Sequence, residues 1–211
     1  MRADVIRQLS GEIESAGRLV AVDGVDGAGK TVLADELAAE LRRRDLPVVR
    51  VSVDGFHNPA EVRYRRGRGD PEGFFRDSYD YASFVDLVLE PFTRGSGTYV
   101  PAVHDVDAEQ PVPAHALPVL DAAVLVVDGI FLHRDELAGR WDYSIWLEVP
   151  FEVSIPRGAA RGFGHPDPSH QSNRRYVEGQ RLYIRECDPA SRATVVIDNA
   201  DLAAPVVLRR T

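Results

Sequence analysis

The chain has 211 residues, 44% hydrophobic and 27% charged, the make-up of a globular protein and not of a disordered or fibrous one. Its net charge of -8, from 33 acidic and 25 basic residues, argues against broad binding to nucleic acid or to an anionic membrane, though not against a local basic pocket. Cys187 is the only cysteine, which excludes an internal disulfide framework, and between Glu186 and Asp188 it makes a poor nucleophile.

Residues 1 to 16 predict a polar helix with one apolar stripe at Val5, Ile6, Leu9 and Ile13. The charges at Arg2, Asp4, Arg7, Glu12 and Glu14 do not suit a secretion signal, and the apolar runs 122–127 and 144–151 fall well short of the roughly 20 residues that span a bilayer. A cytoplasmic location is therefore expected. Leu19 to Val22 reads as a short buried strand, and Thr31 to Arg44 as a helix through Val32, Leu33, Leu37, Ala38 and Leu41. A second strand, Val48 to Val53, ends at Asp54-Gly55.

Residues 56–81 show no sustained periodicity beyond a short helix near Ala60 to Arg65, and they carry Arg63, Arg65, Arg66 and Arg68 among glycines and aromatics. A connection of that length in a compact chain points to a functional excursion. Tyr81 to Phe92 resumes helical spacing, and Thr98 to Val103 is expected to pair with Gln110 to Ala114 as an antiparallel ribbon within 98–114. Ala123 to Val127 is an unalternating apolar strand closed by Asp128-Gly129, as a sheet covered on both faces requires. A short helix near Asp135 to Ala138, a strand Tyr143 to Val149, a helix from Phe151, a Gly- and Pro-rich loop, a helix Asn173 to Cys187 and a strand Ala193 to Ile197 follow. This succession predicts an α/β fold, a single domain over 1–211 with a doubly wound, mostly parallel sheet flanked by helices.

Gly24-Val25-Asp26-Gly27-Ala28-Gly29-Lys30-Thr31 lies between a strand and a helix and matches the Gly-rich phosphate-binding loop in full. Its small residues let backbone N–H groups converge on phosphate oxygens at the amino end of the helix. The nucleotide-binding set expected is Gly24, Asp26, Gly27, Ala28, Gly29, Lys30, Thr31 and Val32, with Arg157 and Arg161 from a lid region at 157–175. Lys30 would reach the terminal phosphates, and Thr31 with Asp128 would serve Mg²⁺. Asp54 and Asp128 both end apolar strands, so a parallel sheet brings them to one edge; Asp54 takes the base role and Asp128 the metal side. Catalysis would then rest on Asp54, Lys30 and Arg161, with ATP and Mg²⁺ as cofactors. Phe56, Phe74 and Tyr79 or Tyr81 either offer a flat apolar surface to a nucleobase or belong to a small core. His57, His104, His165 and His170 lack metal-ligand spacing.

Together, the phosphate loop, Val51-Ser52-Val53-Asp54-Gly55-Phe56-His57, Gly73-Phe74-Phe75-Arg76-Asp77-Ser78-Tyr79-Asp80 and Val127-Asp128-Gly129-Ile130 resemble the P-loop small-molecule kinases that include uridine kinase, phosphoribulokinase and bacterial pantothenate kinase. The resemblance runs over roughly residues 18 to 198, and is nearest to the uridine-kinase-like proteins. It implies that Asp54 contacts the acceptor hydroxyl, that Asp128 is the acid ending the central strand, that Arg161 is a lid arginine, and that His104-Asp105 stands where a Tyr-Asp pair encloses a nucleoside. Asp54, Phe56, His57, Phe74, Asp80, Tyr81 and His104 are thus the expected acceptor-side residues.

Asp70-Pro71-Glu72-Gly73-Phe74-Phe75 departs from the His-Pro-Asp-Ala-Phe-Asp-like run of uridine kinases, and Glu109 replaces a ribbon histidine. Asp54-Gly55-Phe56 and Ser78-Tyr79-Asp80 look as close to pantothenate kinase. Asp23 to Thr31 also resembles the first loop of thymidylate kinase, but Asp128-Gly129-Ile130 stands where that family has Asp-Arg-Tyr or Asp-Arg-Phe. The expected activity is ATP-dependent phosphorylation of a primary hydroxyl, on a nucleoside first and on pantothenate or another small alcohol second. A nucleotide-dependent switch is the alternative of another class, disfavoured by the absence of Asn-Lys-x-Asp. The partner expected is a small molecule, not a nucleic acid polymer or a membrane, and a homo-oligomer is compatible with it.

Overall fold

The computed structural model describes residues 2–211. Helix α1 (Arg2–Ala16) buries Ile6, Leu9 and Ile13 against α2 (Lys30–Arg43), which follows β1 (Leu19–Gly24). Leu33, Leu37 and Leu41 of α2 are fully buried, a contribution of about 1.5–3 kcal/mol each. Strand β2 (Val48–Ser52) leads into a 3₁₀ turn, Val53–Phe56, that carries Asp54.

The excursion is more ordered than its irregular sequence suggests. It contains α3 (Ala60–Arg63) and α4 (Pro71–Asp77), the latter unforeseen. Its start signals are nonetheless present: Asp70 accepts from Gly73 N at 2.6 Å, and Pro71 occupies the first turn, where its missing N–H costs nothing. Gly73 hides the periodicity because its place is set by packing against α8 rather than by helix propensity. Next come α5 (Tyr81–Phe84), a π turn over Val85–Leu89 and α6 (Glu90–Arg94). Pro91 cannot donate to the Leu87 carbonyl, which instead accepts from Val100 N at 3.0 Å.

The expected ribbon splits in two. β3 (Thr98–Tyr99) pairs with β6 (Leu117–Pro118), and β4 (His104–Asp105) with β5 (Gln110–Pro111). Prolines at 101, 111 and 113 withhold the N–H groups that a continuous ladder needs. β7 (Val124–Asp128), a 3₁₀ turn Asp135–Leu137, β8 (Tyr143–Glu148), α7 (Phe151–Ala159), α8 (Arg174–Cys187), α9 (Pro189–Arg192), β9 (Val195–Asp198) and β10 (Val206–Arg210) complete the chain.

The main sheet has the order β10-β9-β8-β1-β7-β2. Its strands are parallel except β10, an antiparallel edge that was not expected from the sequence. Strand register places the site: Val22 of β1 and Ser52 of β2 both sit opposite Asp128 of β7, so the phosphate loop, Asp128 and the turn holding Asp54 emerge at one carboxyl edge. Among the described residues no helix is long and apolar enough to cross a membrane.

Candidate active site

The loop from Gly24 to Lys30 turns the chain from β1 into α2. Gly27 (φ 76°) and Gly29 (φ 92°) adopt left-handed backbone that side chains oppose. A Cβ on Gly27 would stand 2.1 Å from the Ser154 carbonyl oxygen of α7, so only glycine lets the loop lie against that helix. Asn199, just past β9, braces the loop by donating to the Ala28 carbonyl at 2.7 Å. The Lys30 ammonium folds over the loop to the Val25 carbonyl at 3.0 Å.

Beneath the loop lies a group that the sequence reading missed. Asp23 is fully buried and accepts from Gly24 N (2.7 Å), His133 N (3.1 Å), His133 Nδ1 (2.8 Å) and the Tyr183 hydroxyl. Burial and the facing Asp23 push the Tyr183 phenol well above its ordinary range, so it stays a donor.

Asp128 is buried and held on both oxygens: Thr31 Oγ1 donates at 2.6 Å and Arg50 Nη2 at 2.9 Å. Arg50, an isolated cation in the apolar run of β2, also donates to the Val126 carbonyl (2.8 Å) and to Asp35 (3.0 Å). A hydroxyl beside a buried carboxylate is a hard-oxygen pair that suits Mg²⁺.

Asp54 is exposed at the pocket and accepts from the Tyr79 hydroxyl at 2.8 Å. Burial first, then the adjacent Asp54 carboxylate, raises the Tyr79 phenol well above its usual range, so this proton remains on the donor. His57 donates from Nδ1 to the Asp54 carbonyl at 2.8 Å and lies 4.4 Å from the Tyr79 ring centre. Burial lowers its imidazole pKa.

A pocket of about 510 Å³ joins these groups, with Asp26, Lys30, Thr31, Asp54, Tyr79 and Asp128 on its floor. Arg161, Phe163, Asn173 and Tyr176 also line it. The last three were not foreseen. The exposed Phe163 stands between Gly162 and Gly164 in the loop that contains Arg161, and Tyr176 gains meaning only from the direction of its face on α8.

Several expected acceptor residues lie elsewhere. Phe56 is fully buried, edge-on to Phe84 at 5.2 Å, and belongs to the core. Phe74 packs between Phe131 and Tyr176, and Tyr81 lies under the Arg134 guanidinium at 4.1 Å. Asp80 caps α5, accepting from Ser83 N at 3.0 Å and Ser83 Oγ at 2.6 Å. His104 is buried 3.6 Å from Glu109, which pairs with Arg63. Arg157 donates to the Asn199 carbonyl at 3.1 Å and to the Ala200 carbonyl, bracing the turn after β9 rather than reaching the pocket. Val32 remains exposed in the first turn of α2, and Arg161 stands at the pocket as expected.

No family model matches the chain. A thymidylate kinase of Xylella fastidiosa is 33% identical over 159 residues, which is 72% of this chain and 67% of the relative. The chain belongs to the P-loop small-molecule kinases. Another thymidylate kinase, of Xanthomonas euvesicatoria, is 27% identical over 212 residues, 94% of this chain and 83% of that one.

Among solved structures, a possible uridine kinase from Bacillus stearothermophilus has a TM-score of 0.71 at 22% identity, covering 92% of this chain and 96% of its own. Phosphoribulokinase from Rhodobacter spheroides has a TM-score of 0.58 at 13% identity, covering 87% and 70%. These two share the kinase fold. The sequence relatives and the structural neighbours thus carry different acceptors in their names, while this P-loop kinase ends β7 with Asp128-Gly129-Ile130.

Proposed function

We propose that this kinase transfers the γ-phosphoryl group of ATP to the primary hydroxyl of an uncharged small molecule, with a nucleoside as the first choice. The observation that carries this reading is the pocket itself: one exposed carboxylate, Asp54, oriented by Tyr79, opposite the phosphate loop. Asp54 accepts the hydroxyl proton as the oxygen attacks the γ-phosphorus in line and the bond to the bridging oxygen breaks to release ADP, while Lys30 and Arg161 offset the charge spreading over the transferred group. Thr31 and Asp128 would hold Mg²⁺, which would neutralise phosphate charge.

Charge favours an uncharged acceptor. The lysine and arginine lining the pocket are Lys30 and Arg161, both used by the triphosphate. The arginines of the excursion are engaged elsewhere: Arg63 with Glu109, Arg65 and Arg66 with Asp77, and Arg68 over the Tyr64 ring. An acceptor phosphate, as in thymidylate, or the carboxylate of pantothenate would enter without a dedicated cation. Against this, the names of the sequence relatives favour thymidylate as the second reading.

A coupled phosphorylation screen decides between them. Uridine, cytidine, thymidine, thymidylate, pantothenate and phosphorylated sugars are compared with ATP and Mg²⁺, and the products identified. Turnover should be greatest on a nucleoside; a clear preference for thymidylate would overturn the uncharged acceptor.

Tyr79→Phe tests how Asp54 is positioned. It removes one hydrogen bond to the carboxylate while keeping the ring against His57. The expected result is a fall in kcat of about tenfold with KM for ATP unchanged, the scale of one charge-assisted hydrogen bond. In an Asp54→Asn background the same change should cost almost nothing further, because both act through one group.

A further inference from the structure

The described surface of the phosphate loop is tied to α8 by a side chain with no role in the reaction outlined so far. Gln180 is 1% exposed, and both ends of its amide are hydrogen-bonded. Its Oε1 accepts from Asp26 N at 2.6 Å, and its Nε2 donates to Asp26 Oδ2 at 3.2 Å and to the Tyr176 carbonyl at 3.0 Å. The reversed amide would set NH₂ against the Asp26 N–H and oxygen against its carboxylate, so only one orientation fits.

Asp26 is an unusual neighbour for a triphosphate. It puts a carboxylate into the pocket that phosphates must enter, and there it faces Lys30 of α2, Arg161 of the lid, Asp54 and His57 beyond β2, Tyr79 after α4 and Tyr176 of α8. Burial raises its pKa, with Lys30 opposing. A mobile carboxylate at this point would compete with phosphate for Lys30. Gln180 restrains it and takes up the adjacent backbone N–H in the same contact.

We propose that Gln180 is a positioning residue for nucleotide binding: by gripping both the backbone and the carboxylate of Asp26, it holds the phosphate loop in its binding shape without touching the nucleotide. The helix that carries it is anchored at both ends of the site. Asn173, just before α8, donates to the His165 and Asp167 carbonyls of the lid loop at 2.6 and 2.8 Å. Arg175 donates to the Arg63 and Asp70 carbonyls of the excursion at 2.8 and 2.9 Å. Three residues beyond Gln180, Tyr183 holds Asp23. One helix therefore links lid, acceptor cover and phosphate loop.

The proposal rests on the loop being the ATP site, and the test separates the two. Binding of a fluorescent N-methylanthraniloyl ATP with Mg²⁺ is titrated for wild type, Gln180→Leu and Gln180→Glu at about pH 6 and about pH 8.5, spanning the range in which a coupled carboxyl pair can exchange its proton. Gln180→Leu should bind about tenfold more weakly at both values, the scale of losing hydrogen bonds to a buried partner. Gln180→Glu can still accept from the Asp26 N–H but opposes its carboxylate, so its deficit relative to wild type should be large at high pH and shrink at low pH, where one proton bridges the pair.

KM for the acceptor should stay unchanged in both variants. A merely structural role would lower the melting temperature and leave the Gln180→Glu deficit the same at both pH values, which overturns the proposal, as does wild-type affinity in Gln180→Leu. If Gln180→Leu fails to fold, the nearly isosteric Gln180→Glu carries the test alone. Wild-type protein that binds no nucleotide would refute the reading of the loop, and the proposal with it.

Discussion

Lys30→Ala should reduce phosphoryl transfer by about a thousandfold or more while leaving the fold intact. The ammonium stands at the amino end of α2 and among the described residues bonds only to a carbonyl of its own loop, so its removal opens no cavity in the core and breaks no ion pair among them. What is lost is the positive charge that the proposed reaction needs beside the transferred group. The check is initial-rate kinetics beside a thermal melt and a circular dichroism spectrum. Normal turnover in a folded variant would remove Lys30 from the reaction, and unfolding would show that its contact with Val25 shapes the loop.

Asp54→Asn should have the next largest effect, slowing transfer by about 10²- to 10⁴-fold, the span of a general base. Nucleotide binding should be nearly unchanged, because Asp54 sits in the turn after β2, on a different segment from the phosphate loop between β1 and α2. The amide keeps the size of the side chain and still accepts from Tyr79, so position is preserved and only proton acceptance is lost. Single-turnover rates at saturating MgATP, together with nucleotide titration, isolate the chemical step. Equal transfer rates in the two proteins would exclude Asp54 as the base; a loss confined to nucleotide affinity would move it to the ATP side.

The pocket was legible only in part. The place of Asp54 could be read because a polar residue ending an apolar strand and preceding glycine has few structural uses, and the parallel order of the strands put it beside the phosphate loop. The aromatics could not be assigned in the same way. Phe56 and Tyr79 both occupy segments that suited a nucleobase surface, yet Phe56 is sealed against Phe84 whereas Tyr79 turns its hydroxyl to Asp54. Which face a ring presents depends on the elements packed around it, and α4, hidden by Gly73, was one of them. The arginines behaved similarly. Those of the excursion stood in a segment expected to be functional, but Asp77 and Glu109 engage three of them, and Arg50, inconspicuous in a strand, holds Asp128.

The sequence by itself determined that a phosphate-loop motif joins β1 to α2 and which strands lead to Asp54 and Asp128. A glycine-rich turn, a lysine and a hydroxyl at fixed spacing form a local structure, and apolar runs ending in Asp-Gly declare the buried strands of a parallel sheet. Only the tertiary structure decided which charges and rings face the pocket, that Asp23 and Gln180 secure the loop from beneath and beside it, and that Phe163 and Tyr176 line the pocket. The bonds from α8 to Asp23 and Asp26 join segments more than a hundred residues apart, and whether a polar group is free or satisfied is fixed by the partners that packing brings to it.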